Sequence, residues 1–125
     1  MLQVLVCTDE IIVKNLFEQN ELTKNSNSFA LRALSGEEML GFCLFEISGD
    51  KITVLYLHPE NDRLLADGLL RSTLHVGCER GVTEAFYGEN VSEELLSKIG
   101  FIEEKADKKL KLQNLYSDCC NCSSK

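Results

Sequence analysis

The sequence has no apolar run near the ~20 residues that a membrane-spanning helix requires, and its opening stretch, MLQVLVCTDE, lacks the basic segment that starts an export signal. Both absences point to a cytoplasmic protein. Positive charge is scarce too: 13 Lys and Arg stand against 20 Asp and Glu, a net charge of −7 with a pI near 4.8. A basic field is what draws in nucleic acid and anionic membrane, so neither is expected as a partner. An anionic ligand would have to be held by short-range donors and dipoles. Six cysteines without an export signal do not make a disulfide framework. Cys7, Cys43 and Cys78 fall within apolar patterns and read as small buried hydrophobes. Cys119, Cys120 and Cys122 crowd into a tail, residues 117–125, and without a second cluster they form an incomplete zinc site, so no metal is assigned.

What is present fits one globular domain, over residues 1–116: the chain has 125 residues, 44% apolar and 26% charged. LQVLV at 2–6 reads as a strand. Thr8 or Asp9 then caps a helix to about Asn20, with Ile11, Ile12, Leu16 and Phe17 at helical spacing. From Phe29 the pattern turns to strands, FALRAL, MLGFCLFEI and ITVLYLHP, separated by SGEE and SGDK, which describes an antiparallel meander. In the second turn Asp50 is expected to be the residue with positive φ. Alternation in the third of these strands places Ile52, Val54, Tyr56 and His58 on one face, and Thr53, Leu55 and Leu57 on the other. A helix from about Leu64 to Arg80 carries Ala66, Leu69, Leu70, Thr73, Leu74 and Gly77 on one stripe and stops at Gly81. VTEAFY follows as a strand, then a short helix capped by Ser92 and closed by Gly100, and a closing hairpin, FIEEKA with KKLKLQNL.

The segment between strand and long helix, PENDRLLA, contains no glycine. A strand that ends at a proline and leads into an amphipathic helix is a layout that often cradles a phosphate, because a helix start offers unpaired N–H donors and partial positive charge. Taken together, LHPENDRLLADGLLRSTLHVGCERGV and NVSEELLSKIGF resemble the GNAT acyltransferase superfamily, the likeness covering roughly residues 28–114. The fold it implies is α+β, layered α/β/α, with a mixed and mostly antiparallel sheet splayed between its fourth and fifth strands and helices on both faces. The resemblance also implies acetyl-CoA lying in the splay between ITVLYLH and VTEAFY. Backbone near Leu57 then pairs with the pantetheine arm, and the segment Arg63, Leu64, Leu65, Ala66 and Asp67 offers N–H groups to the pyrophosphate, with Asn90 matching the family's asparagine.

Several residues depart from that pattern. The family's R/Q-x-x-G-x-G/A falls over residues 61–66, where only Ala66 fits; Leu64 brings a side chain to the place of close approach, and Asp62 adds a like charge. Arg63 is the candidate compensating charge. The family's tyrosine acid is replaced by Leu96, which leaves Tyr56 and Tyr87 as the candidate proton donors, and His58, Glu46 and Glu89 as candidate bases. Two readings follow. One is an acetyl-CoA-dependent N-acyltransferase acting on an amine of a small molecule or protein. The other is a GNAT-like binding or scaffold domain that has lost CoA and acts through dimerisation or its thiol tail.

Overall fold

A computed structural model describes residues 2–101 and 109–110. Along the chain lie β1 (Leu2–Val6), α1 (Glu10–Gln19), β2 (Ser28–Ser35), β3 (Glu38–Ser48), β4 (Lys51–His58), α2 (Arg63–Glu79), β5 (Glu84–Tyr87), α3 (Glu93–Lys98) and β6 (Lys109–Leu110). The strands form one sheet in sequence order. Every neighbouring pair is antiparallel except β4 and β5, which are parallel because α2 carries the chain back across the sheet. Of the closing hairpin read over 101–115, Phe101 and β6 fall within the described residues, and β6 pairs with β5; the rest, like the cysteine tail, lies outside them.

Each face of the sheet buries a core. On one side α1 sets Val13, Leu16 and Phe17 against Ala30, Phe42 and Leu44. On the other, the α2 stripe Ala66, Leu69, Leu70 and Leu74 packs on Leu31, Ala33, Cys43, Phe45, Ile52, Val54 and Leu57, and Leu95 and Leu96 of α3 join the same core. Helices therefore cover both faces, as the periodicity requires. Burial pushes the Cys43 thiol up to about 12, so this cysteine is an inert core residue, and Cys7 is buried beside α1.

Two local expectations are corrected. The residue with positive φ in the second turn is Gly49 (φ 62), not Asp50. Asp50 ties the start of β4 to β5 instead: its carbonyl accepts from the Thr83 N–H at 2.8 Å, and its carboxylate accepts from the Thr83 hydroxyl at 3.2 Å. The facing of β4 also breaks alternation. Its register against β3 shifts between Leu44 and Phe45, so Leu55 is the extra residue of a β-bulge. Beyond it Leu57 joins Ile52 and Val54 on the α2 face, whereas Tyr56 packs with Leu55 on the α1 side.

α2 and α3 end alike: Val82 N–H returns to the Gly77 carbonyl around Gly81 (φ 87), and Phe101 N–H to that of Leu96 around Gly100 (φ 83). α1 closes the same way, Leu22 N–H onto the Phe17 carbonyl at 2.9 Å, but around Glu21 at φ 59. A side chain in that left-handed region costs about 1 kcal/mol. Glu21→Gly is therefore expected to raise stability by roughly 0.5–1 kcal/mol, read as a higher urea midpoint with an unchanged m-value.

Candidate functional site

β5 is half the length of β4, and this mismatch builds the site. The last β4–β5 pair is Val54 with Tyr87, and one further bond runs from the Gly88 N–H to the Val54 carbonyl at 2.8 Å. After it the chain leaves the sheet for α3, while Leu55, Tyr56, Leu57 and His58 run on with no β5 residue beside them. The sheet is thus splayed between its fourth and fifth strands. Among the described residues, backbone of β4 is exposed to the gap as a strand edge.

Residues 59–62 carry the chain from β4 into α2, and the start of that helix faces the same corner. Arg63, Leu64, Leu65, Ala66 and Asp67, expected as a phosphate loop and its continuation, are the opening turns of α2. The reason is an N-cap: Asp62, in extended conformation, accepts the Leu65 N–H on its carboxylate at 3.1 Å and the Ala66 N–H on its carbonyl at 2.9 Å. That leaves Arg63 and Leu64 N–H without an intrahelical acceptor. Leu64 is 88% exposed and Ala66 fully buried, while Asp67 pairs with Arg71 at 3.0 Å, an arginine that also lies over the Phe101 ring. Between residues 60–61 and α3 opens a cavity of about 380 Å³ whose wall includes Arg63, Ser92, Leu95 and Lys98, with Glu60 and Glu94 at the same opening. Lys98 forms an ion pair with Glu94 at 2.9 Å, and Arg63 is in no ion pair among the described residues.

The two candidate tyrosines lie on opposite faces. Tyr87 is 2% exposed, and its hydroxyl donates to the Glu93 carboxylate at 2.8 Å. Burial first, and then the bond to Glu93 and its charge, pushes this phenol up to about 12. Tyr56 is half-buried on the α1 side, beside the gap, and stacks on Phe42 with ring centroids 5.8 Å apart. His58, exposed at the end of β4, stacks on the same ring at 5.2 Å. Leu57 has its side chain buried in the α2-side core, so only its backbone is available to the gap. Asn90 and Glu89 are exposed in the turn after β5, Glu46 lies lower on β3 opposite Thr53, and Leu96 is buried. The structure brings together the β4 edge, the α2 start and Lys98. It does not bring the two tyrosines together.

Sequence reasoning missed three participants. Asp62 bore the signal, an Asp immediately before an apolar 3.6-residue stripe. Lys98 and Glu93 reach the corner only because α3 folds back, which no local pattern reveals.

A splayed mixed sheet of this order, with the long helix following β4, is the GNAT fold. Solved structures that share it include the ribosomal-protein-S18-alanine N-acetyltransferase of Escherichia coli, with a TM-score of 0.63 at 14% identity over 83% of this chain and 79% of that one. The ribosomal-protein-alanine N-acetyltransferase of Brucella melitensis aligns at 0.59 and 13% identity, over 83% and 94% of the two chains. The PaiA N-acetyltransferase of Thermoplasma acidophilum, solved in complex with coenzyme A, aligns at 0.54 and 21% identity, over 81% and 66%. At these identities the likeness establishes the fold. No protein-family model matches the sequence, and no curated protein does.

Proposed function

We propose that the chain binds an acyl-CoA, acetyl-CoA in the first instance, in the β4–β5 gap and transfers the acyl group to an amine. The observation that carries this is the exposed backbone of β4 beyond Val54, lying next to the start of α2. A fold alone does not fix a function, so the reading rests on whether these residues suit the ligand. The strand edge at Leu57 suits an amide-bearing pantetheine arm, which pairs with backbone as another strand does, and a backbone donor there is placed to polarise a carbonyl. The Arg63 and Leu64 N–H groups, with the cations Arg63 and Lys98, suit phosphate oxygens. When bound, the ligand supplies an activated thioester. Tyr56, whose hydroxyl bonds to no carboxylate among the described residues, is the proton donor this site offers, whereas Tyr87 is committed to Glu93. Most of the rate would come from positioning rather than from side-chain chemistry. The net charge of −7 favours a cationic acceptor.

One observation favours a second reading, a domain that keeps the fold without CoA: the Asp62 carboxylate already occupies the third N–H of α2. Isothermal titration with acetyl-CoA and, in parallel, with pantetheine decides between them. Micromolar acetyl-CoA and much weaker pantetheine are expected. Absence of heat and of thermal shift at millimolar acetyl-CoA would sink the transferase and leave a binding module.

A further inference from the structure

The α1 face of the sheet carries a row of side chains that leads to the gap. The register aligns Leu5 with Arg32, Arg32 with Phe42, and Phe42 with His58, so these stand side by side across β1 to β4. Below them, Ala30, Leu44 and Tyr56 form the next row, and α1 packs on this row and on Phe42, which is 8% exposed. Phe42 stacks on His58 at 5.2 Å and on Tyr56 at 5.8 Å, with the rings within 28° of parallel, which gives a continuous aromatic platform, buried at Phe42 and exposed at His58 at the end of β4.

Arg32 stands at the far end of that platform and is anomalous. Its Nε is buried with no hydrogen-bond partner, and none of the ion pairs among the described residues includes it. A buried donor of a charged group left without an acceptor is a net cost in the free protein, and few such groups persist without a ligand or a functional reason. A guanidinium offers adjacent Nε–H and Nη–H donors at the spacing of a carboxylate's two oxygens. A carboxylate brought to this partly exposed side chain would give the orphaned Nε–H such an acceptor.

The register also sets a length. Arg32 and His58 are two strands apart, about 10 Å, and an extended peptide advances about 3.3 Å per residue, so about three residues span from the guanidinium to the gap. We propose that Arg32 is an anchor for a carboxylate, and that the acceptor is a short peptide-like amine with its carboxylate about three residues from the reacting nitrogen, which it brings to the gap beside the exposed His58. The direction of the acceptor rests on the acyl-transfer reading; the carboxylate site at Arg32 does not.

The test uses the full chain without acyl donor. Triglycine and triglycinamide, which differ only in the terminal carboxylate, are titrated while the Nε–H signal of Arg32 is followed by proton–nitrogen NMR. Triglycine is expected to move that signal saturably and to bind at least tenfold more tightly than the amide. In Arg32→Gln the preference disappears, and Arg32→Lys, which keeps the charge but not the fork, recovers only part of it. Equal response to the two peptides, or an Arg32 signal unmoved by millimolar triglycine, overturns the proposal, and this comparison needs no variant to fold. If triglycine binds at Arg32 but acetyl-CoA gives no heat, the transferase reading fails while the carboxylate site stands.

Discussion

Gly41→Ala is expected to be the glycine-to-alanine change with the worst steric clash among the described residues. A Cβ at this β3 position would lie 2.6 Å from the His58 carbonyl oxygen, 2.9 Å from Pro59 Cδ and 3.0 Å from Leu69 Cδ1. Two of these neighbours cannot swing aside, because one is backbone and the other is a proline ring. The end of β4 must instead move away from β3. Overpacking of this kind costs about 3 kcal/mol, a fall in Tm on the order of 10 °C for a domain of this size. Gly68→Ala is the contrasting change: Gly68 sits inside α2 with nothing within 4 Å of its Cβ, so removing glycine's backbone entropy there should stabilise by up to about 1 kcal/mol. Thermal melts of the two variants test the pair. A Gly41→Ala protein as stable as the parent would show that β4 can shift freely at His58. The same shift would displace the strand edge at Leu57 and His58, so this variant should also lose whatever the gap binds, whereas Gly68→Ala should not.

Side-chain periodicity was legible in full for α2 and in part for α1, where Leu16 and Phe17 are buried as expected but Ile11 is 72% exposed and Val13 takes the core position. The α2 stripe follows directly from residues three and four apart, and each of its expected members, from Ala66 to Gly77, is buried. The β2–β3 and β3–β4 hairpins, the Asp9 and Ser92 caps and the glycine stops at 81 and 100 were equally legible, because each depends on a local residue type. The bulge at Leu55 was hidden because no glycine or polar residue marks it; the choice is made by pairing with β3, and it turned Tyr56 and Leu57 to faces opposite those that alternation gives. Glu21 was hidden in the same way, as a left-handed stop without glycine. At the site, the place of the gap followed from the resemblance to the GNAT superfamily, carried by LHPENDRLLADGLLRSTLHVGCERGV and NVSEELLSKIGF taken together. Its chemistry was harder to read, since Asp62 looked like a misplaced charge in a loop and is in fact the cap that turns the loop into helix.

That cap makes Asp62→Asn the substitution expected to strengthen ligand binding most. Asparagine is as good an N-cap as aspartate, so the Leu65 N–H keeps its acceptor and stability should change by only a few tenths of a kcal/mol. The negative charge, however, disappears from the point where a pyrophosphate would meet the Arg63 and Leu64 N–H groups. Like charges at about 4 Å repel by as much as about 4 kcal/mol near a protein surface, and salt screens the exposed part of this. If the acyl-CoA reading is right, Asp62→Asn should tighten CoA binding by tenfold or more, about 1.4 kcal/mol, with the gain shrinking as salt is raised. Pantetheine, which has no phosphate, should bind both proteins equally. Calorimetry of CoA and pantetheine on parent and variant reads all of this, beside a thermal melt that confirms the cap. A gain for CoA alone would mean that Asp62 restrains an otherwise competent anion site. Unchanged CoA affinity with an intact melt would mean that the ligand's phosphates do not sit at the α2 start, and that Arg63 and Lys98 hold them elsewhere along the 380 Å³ cavity or not at all.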